Sequence, residues 1–167
     1  MALNHTQKKN IIKKINKIAK KSLSVIMADP SRLTVNTINT LRKKALHSHV
    51  KIFVIKNTLL KKSLQKTNFS KLNTTLNGPS LIAFSIKHPG SASRLFIKFQ
   101  KKNTQFKIKN AVYEKKILDL KSILTLSKLP TYKEAITQLT ITLKEISLGK
   151  LLRTLHQITK KKQKCIN

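Results

Sequence analysis

Thr131 and Glu134 stand three residues apart, just ahead of an apolar pattern that runs on to Ile158. That spacing is a capping box, in which the Thr hydroxyl takes the amide three residues on and the Glu carboxylate reaches back, so a long helix is predicted to start at Thr131. Pro130 sets the boundary before it. At about 100° per residue, Tyr132, Ala135, Ile136, Leu139, Leu143 and Ile146 fall on one stripe. Ile141, Leu148, Leu152, Leu155 and Ile158, with Leu151 close by, fall on a second stripe well round the helix. A helix docked on one domain needs one stripe. The second is therefore the candidate partner-binding face, and Gly149, costing roughly 1 kcal/mol against Ala in mid-helix, marks a bend or a close approach. The chain divides accordingly into a globular domain, 1–128, and a helix with a basic tail, 129–167.

Charge limits what such a chain binds. Its 36 Lys and Arg residues against 5 Asp and Glu give a formal net charge of +31, spread from Lys8 to Lys164 with no acidic block to offset it. Nucleic acid is the leading partner class. Most of the cations are Lys, which meets phosphate as a mobile point charge and reads bases less well than the Arg fork. A membrane surface is the competing partner for the basic N-terminal helix, but that helix has no bulky aromatic anchors.

Catalysis finds little support. Asp29, Glu114, Asp119, Glu134 and Glu145 are the only carboxylates, and no two are spaced for acid–base work or magnesium. His47 and His49 have no third ligand nearby, and Gly78, Gly90 and Gly149 stand alone rather than in a phosphate loop. Cys165 is the single cysteine, so no disulfide framework or thiolate metal cluster is expected. No cofactor or metal is called for. The longest apolar runs are too short to span a bilayer, and the first residues lack a signal-peptide core, so a soluble, unprocessed protein is expected.

Along the globular part, helices and strands alternate. Asn4 or Thr6 caps a basic amphipathic helix, Ser22 to Ala28 reads as a buried strand, and Asp29-Pro30-Ser31 as a turn. Thr34 caps a second helix with Val35, Ile38, Leu41 and Ala45 inward. Val50 to Lys56 is the clearest strand and is expected at the centre of the sheet. Asn57 then caps a short helix over Thr58–Gln65, with Leu59, Leu60 and Leu64 buried and Lys61, Lys62 and Lys66 outward. A helix start beside lysines suits phosphate. Gly78-Pro79 and Pro89-Gly90 are required turns flanking a strand, and a helix holding Ala92, Leu95, Phe96 and Phe99 follows. Phe106 to Tyr113 alternates as a strand with Lys107 and Lys109 on one face, and Leu118 to Leu126 forms a small helix. This order predicts an α/β (α+β) sandwich whose small sheet is covered by helices. The phenylalanines look like core, so gripping folded RNA by shape and phosphate fits better than stacking on single strands.

Five segments in order now carry a resemblance: Met1-Ala2-Leu3-Asn4; Lys56-Asn57-Thr58-Leu59-Leu60-Lys61-Lys62; Gly78 to Ser85; His88-Pro89-Gly90 with Arg94-Leu95-Phe96; and Leu129-Pro130-Thr131-Tyr132 on to Gly149–Leu155. In register over nearly the whole chain, they resemble the bacterial large-subunit ribosomal protein L-ten family, the stalk-base proteins. The resemblance implies a ferredoxin-like N-terminal domain that binds large-subunit (23S-type) rRNA beside ribosomal protein L-eleven. It also implies a C-terminal helix that carries acidic stalk-protein dimers, which recruit translation factors. By that likeness Lys56, Asn57, Thr58, Lys61, Lys62, Gly78 and Pro79 belong to the RNA-binding side, and Gly149 is a hinge separating consecutive docking segments. Where the family commonly has an Arg-Gly or similar pair before Leu-Thr-Val, this chain has Ser31-Arg32, and Arg32 takes over the contact. The resemblance further implies a ribosome-associated, cytoplasmic protein of a bacterium, with a plastid-encoded source as the alternative, and a share in restraining its own translation. A general basic nucleic-acid-packaging protein is the alternative; it accounts for the charge and leaves the second stripe without a use.

Overall fold

The computed structural model describes residues 4–65 and 67–166, which fall into two compact units, Met1–Leu129 and Pro130–Asn167. The first unit begins with α1 (His5–Lys21), β1 (Ser24–Asp29), α2 (Val35–His47), β2 (Val50–Val54) and α3 (Asn57–Leu64). A 3-10 turn (Ser70–Thr74) leads to β3 (Leu81–Ser85), α4 (Ser91–Lys102), β4 (Lys107–Tyr113), β5 (Lys116–Leu118) and α5 (Leu120–Lys128). Every pairing is antiparallel, in the order β2-β3-β1-β4-β5. Since β1 and β2 both run against β3, they are parallel to each other with β3 inserted between them; β3 and β4 flank β1 in the same way. Two interleaved split β-α-β units result, the ferredoxin-like arrangement, with β5 added at one edge.

Period-two alternation in the strands divides the core between the two sheet faces. Ile26, Ala28, Leu81, Ala83 and Ala111 face one way, against Leu41 and Ala45 of α2, Phe96 and Phe99 of α4 and Ile123 of α5. Val25, Met27, Ile82, Phe84 and Val112 face the other way, against Ile15 and Ala19 of α1, Leu60 and Leu64 of α3 and Leu72. Both faces bury an apolar cluster, so both sets of helices are needed. Phe106 packs edge-on to Phe96 and Phe99, with ring centroids 5.2 and 5.1 Å away.

Several expectations change, and Leu59 is half-buried rather than buried. β2 lies at a sheet edge, with Lys51 and Val54 exposed, and the central strand is β1, whose Ser24–Ala28 are all buried. An apolar, β-branched run marks a strand, but charge at alternate positions marks an edge, and Lys51 carried that signal. Val35 is exposed rather than inward. Leu118 belongs to β5 rather than to the following helix. That strand hangs on a tight turn in which Glu114 and Lys115 both take positive φ, 49° and 61°, without the Asn or Gly that signals such a turn. Asn57, finally, sits inside the first turn of α3, and Lys56 occupies the cap position with no side-chain cap bond.

Gly90 is required by close approach. A Cβ there would lie 2.7 Å from the Leu126 carbonyl oxygen of α5, a backbone atom that cannot swing aside. Gly90→Ala is therefore expected to destabilise the first unit by about 1–3 kcal/mol through overpacking. A thermal melt that matches the unaltered protein would refute this.

In the second unit, α6 (Tyr132–Lys144) passes through a π turn (Glu145–Gly149) into α7 (Lys150–Ile166). The capping box at its start is present: the Thr131 amide donates to Glu134 Oε2 at 2.9 Å, and the Glu134 amide to Thr131 Oγ1 at 3.4 Å. No residue of α6 is buried.

Candidate functional site

One end of the sheet gathers most of the residues that the sequence singles out. β1 and β2 leave the sheet where β3 and β4 enter it, because Ala28 and Val54 both pair with Leu81 and Asp29 pairs with Lys107. The loop after β1, the start of α3 and the Asn77–Ser80 turn consequently converge. Asn57 Nδ2 donates to the Gly78 carbonyl at 2.7 Å, which ties the first turn of α3 to that loop. Gly78 has φ +67°, where a side chain would be strained. Lys56, Thr58, Lys61 and Lys62 are exposed on or beside α3, and Pro79 is exposed in the loop. No side chain caps the first turn of α3 at Lys56, and the Leu59 and Leu60 amides both donate to the Lys56 carbonyl at 3.1 Å.

Lys109 was legible in the sequence only as one of two lysines on a strand face. The pairing of β1 with β4 slips by one residue between Ile26 and Ala28, a bulge that turns the local side chains. Lys109 Nζ then donates to the carbonyls of Asn77 at 2.6 Å and Pro79 at 3.0 Å, clasping the same loop that Asn57 holds. Arg32 is exposed after β1, beside a cleft lined also by Thr34, Thr37, Lys102 and Gln105. Asp29 is a carboxylate at this end, near Lys109 and Arg32. The Ser31 hydroxyl and amide hold its carboxyl below the ordinary value; partial burial opposes them, and the charges of Lys109 and Arg32 assist. It therefore remains an anion near neutral pH, and the loops around it are otherwise cationic.

The second unit offers a different surface. Its π turn is marked by the Lys150 amide, which donates to the Glu145 carbonyl five residues back. One extra residue in a turn makes everything after it lag by about 100°. Carried through that lag, Leu151, Leu155 and Ile158 come within about 40° of the line through Tyr132, Ile136, Leu139 and Leu143. Three residues of the second stripe, Leu151, Leu155 and Ile158, thus join the face of the first. All seven residues are exposed, Tyr132 at 81% and Leu155 at 58%. Leu152 sits on the flank of that face and Ile141 on its back; the side chain of Leu148 lies outside the described residues. Arg153 donates to Glu145 Oε1 at 2.9 Å across eight residues, a reach that the same lag brings onto one side of the helix. Gly149 ends the π turn. A Cβ there would come no nearer than 3.7 Å to any neighbour, so close packing does not require the glycine.

Together these features define a basic α/β domain followed by an exposed amphipathic helix. Comparison with known proteins makes the class specific. A family model for ribosomal protein L10 matches residues 3–101. The chain is 65% identical to large ribosomal subunit protein uL10 of Buchnera aphidicola subsp. Cinara cedri, over 96% of this chain and 100% of that one. The uL10 proteins of Buchnera aphidicola subsp. Schizaphis graminum and Actinobacillus pleuropneumoniae serotype 5b are 47% and 44% identical, each over 98% of this chain and nearly all of their own. The chain belongs to the ribosomal protein L10 family, structural proteins of the large ribosomal subunit.

Proposed function

We propose that this protein is the base of the ribosomal stalk: a non-catalytic connector that binds large-subunit rRNA through its first unit and anchors acidic stalk-protein dimers on its C-terminal helix. The observation that carries the RNA half is the convergence of Lys56, Asn57, Gly78 and Pro79 at one sheet end, with Lys61 and Lys62 a turn further along α3. Lysine ammonium groups are donors suited to phosphate, while the clasp of Asn57 and Lys109 fixes the loop beforehand. Arg32 and Thr58 extend the same side. Ribosomal protein L-eleven shares the rRNA site, and translation factors reach it indirectly through the acidic dimers. The protein works on the ribosome in the bacterial cytoplasm, and binding of its own messenger would use the same RNA side.

The helix half rests on an apolar face that is exposed along its length, with Gly149 separating consecutive docking segments. A general packaging protein would have no use for that face.

Affinity for a stalk-base rRNA fragment is expected to fall steeply with salt, since each phosphate contact releases counterions and adds about 0.7–0.9 to the log–log slope. A filter-binding series between 50 and 200 mM salt is the check, at roughly the range over which such slopes are read. A flat dependence, or equal affinity for arbitrary duplexes, would remove the RNA half.

A further inference from the structure

The π turn at Glu145–Gly149 does a job that a straight α-helix of this sequence would not do. Without it, Leu151, Leu155 and Ile158 would stand about 70–130° round the helix from the line through Tyr132, Ile136, Leu139 and Leu143. With it they continue the same line for about 40 Å. From this we infer that the π turn is a register element, which joins the two halves of the helix into one docking face so that successive acidic partner units sit in line on one side. The inference rests on the stalk-anchoring reading above and adds the geometry of occupancy to it.

Charge identifies the occupant as acidic. Counted in the observed register, Lys133 and Lys144 flank the apolar line on one side and Lys150 on the other. The two carboxylates of the helix lie behind it, Glu134 in the capping box and Glu145 bound to Arg153. A partner seated on the apolar face therefore meets lysines at both rims and no carboxylate. An RNA would meet the same lysines but has no use for a strip of Leu and Ile without stacking groups; Tyr132 at the start is the one aromatic on it.

Deletion and insertion separate the alternatives because a π turn is an α-helix holding one residue too many. Deleting Ser147 lets the segment become α-helical and leaves α7 in phase with α6. Inserting an alanine between Ile146 and Ser147 turns α7 by about a further 100°. Each full-length variant is mixed with the purified cognate acidic stalk protein, and stoichiometry and apparent affinity are read by native mass spectrometry, with circular dichroism confirming helix content. The deletion should keep the wild-type stoichiometry and affinity within about twofold, and the insertion should lose stalk chains and weaken binding at least tenfold. Loss in the deletion, or full binding in the insertion with helix content intact, would overturn the inference while leaving the stalk reading in place. Absence of any complex with the unaltered chain would instead sink the stalk reading, and the register role with it.

Discussion

Leu151→Asp together with Leu155→Asp is expected to abolish capture of the acidic stalk protein while leaving rRNA affinity unchanged. Each leucine is exposed in the free chain and would be covered in the complex, where burial of such a side chain contributes about 1.5–3 kcal/mol. Aspartate withdraws that gain and sets a carboxylate against an apolar surface and an acidic partner. Two such changes correspond to a loss of at least about 100-fold, at 1.4 kcal/mol per factor of ten. Neither residue contributes to the core of the first unit, so its melting temperature should not move. A titration that shows unchanged stalk binding would mean that the exposed face is not the docking surface; loss of RNA binding as well would mean that the helix supports the first unit.

Lys56→Gln, Lys61→Gln and Lys62→Gln combined are expected to weaken binding to a stalk-base rRNA fragment on the order of 100-fold and to lower the log–log salt slope by about 2–3. All three side chains are exposed, so the folded state should tolerate the change. Lys109 is deliberately outside this set, because it bonds the Asn77 and Pro79 carbonyls and its loss would disturb the loop as well as the charge. An unchanged slope with these three lysines removed would place the phosphate contacts elsewhere on this very basic chain.

Much of this was legible in the sequence where a local signal and a tertiary need coincide. The Thr131–Glu134 box, the Thr34 cap and the turns at Gly78-Pro79 and Pro89-Gly90 all appear where the residues put them, because each is decided within a few neighbours. What stayed hidden was decided at longer range. The edge position of β2 depends on which strands find β3, and Lys51 was outweighed by a run of Val, Ile and Phe. β5 depends on a turn that Glu114 and Lys115 adopt against their usual preference. At the candidate RNA site, Lys56, Asn57 and Gly78 were named from the sequence, but Lys109 reaches the same loop from a strand about thirty residues away through a bulge that no local pattern announces.

The helix gives the clearest case. Its apolar residues were all visible, yet wheel geometry at a constant step placed them on two opposed sides. One π turn, signalled by nothing stronger than Gly149 and a phase mismatch, changes the step and with it the surface. The offset of Leu151, Leu155 and Ile158 from the first stripe, roughly one residue's turn, is what an inserted residue leaves behind.

The central claim is that one chain joins rRNA to acidic stalk proteins through separate units. Native mass spectrometry of the full-length protein with both a stalk-base rRNA fragment and the acidic stalk protein tests it most directly. A single ternary assembly carrying an even number of stalk chains is expected, reduced to the binary RNA complex when the chain is truncated after Leu129. Mutually exclusive binding, in which the stalk protein displaces the RNA, would contradict it.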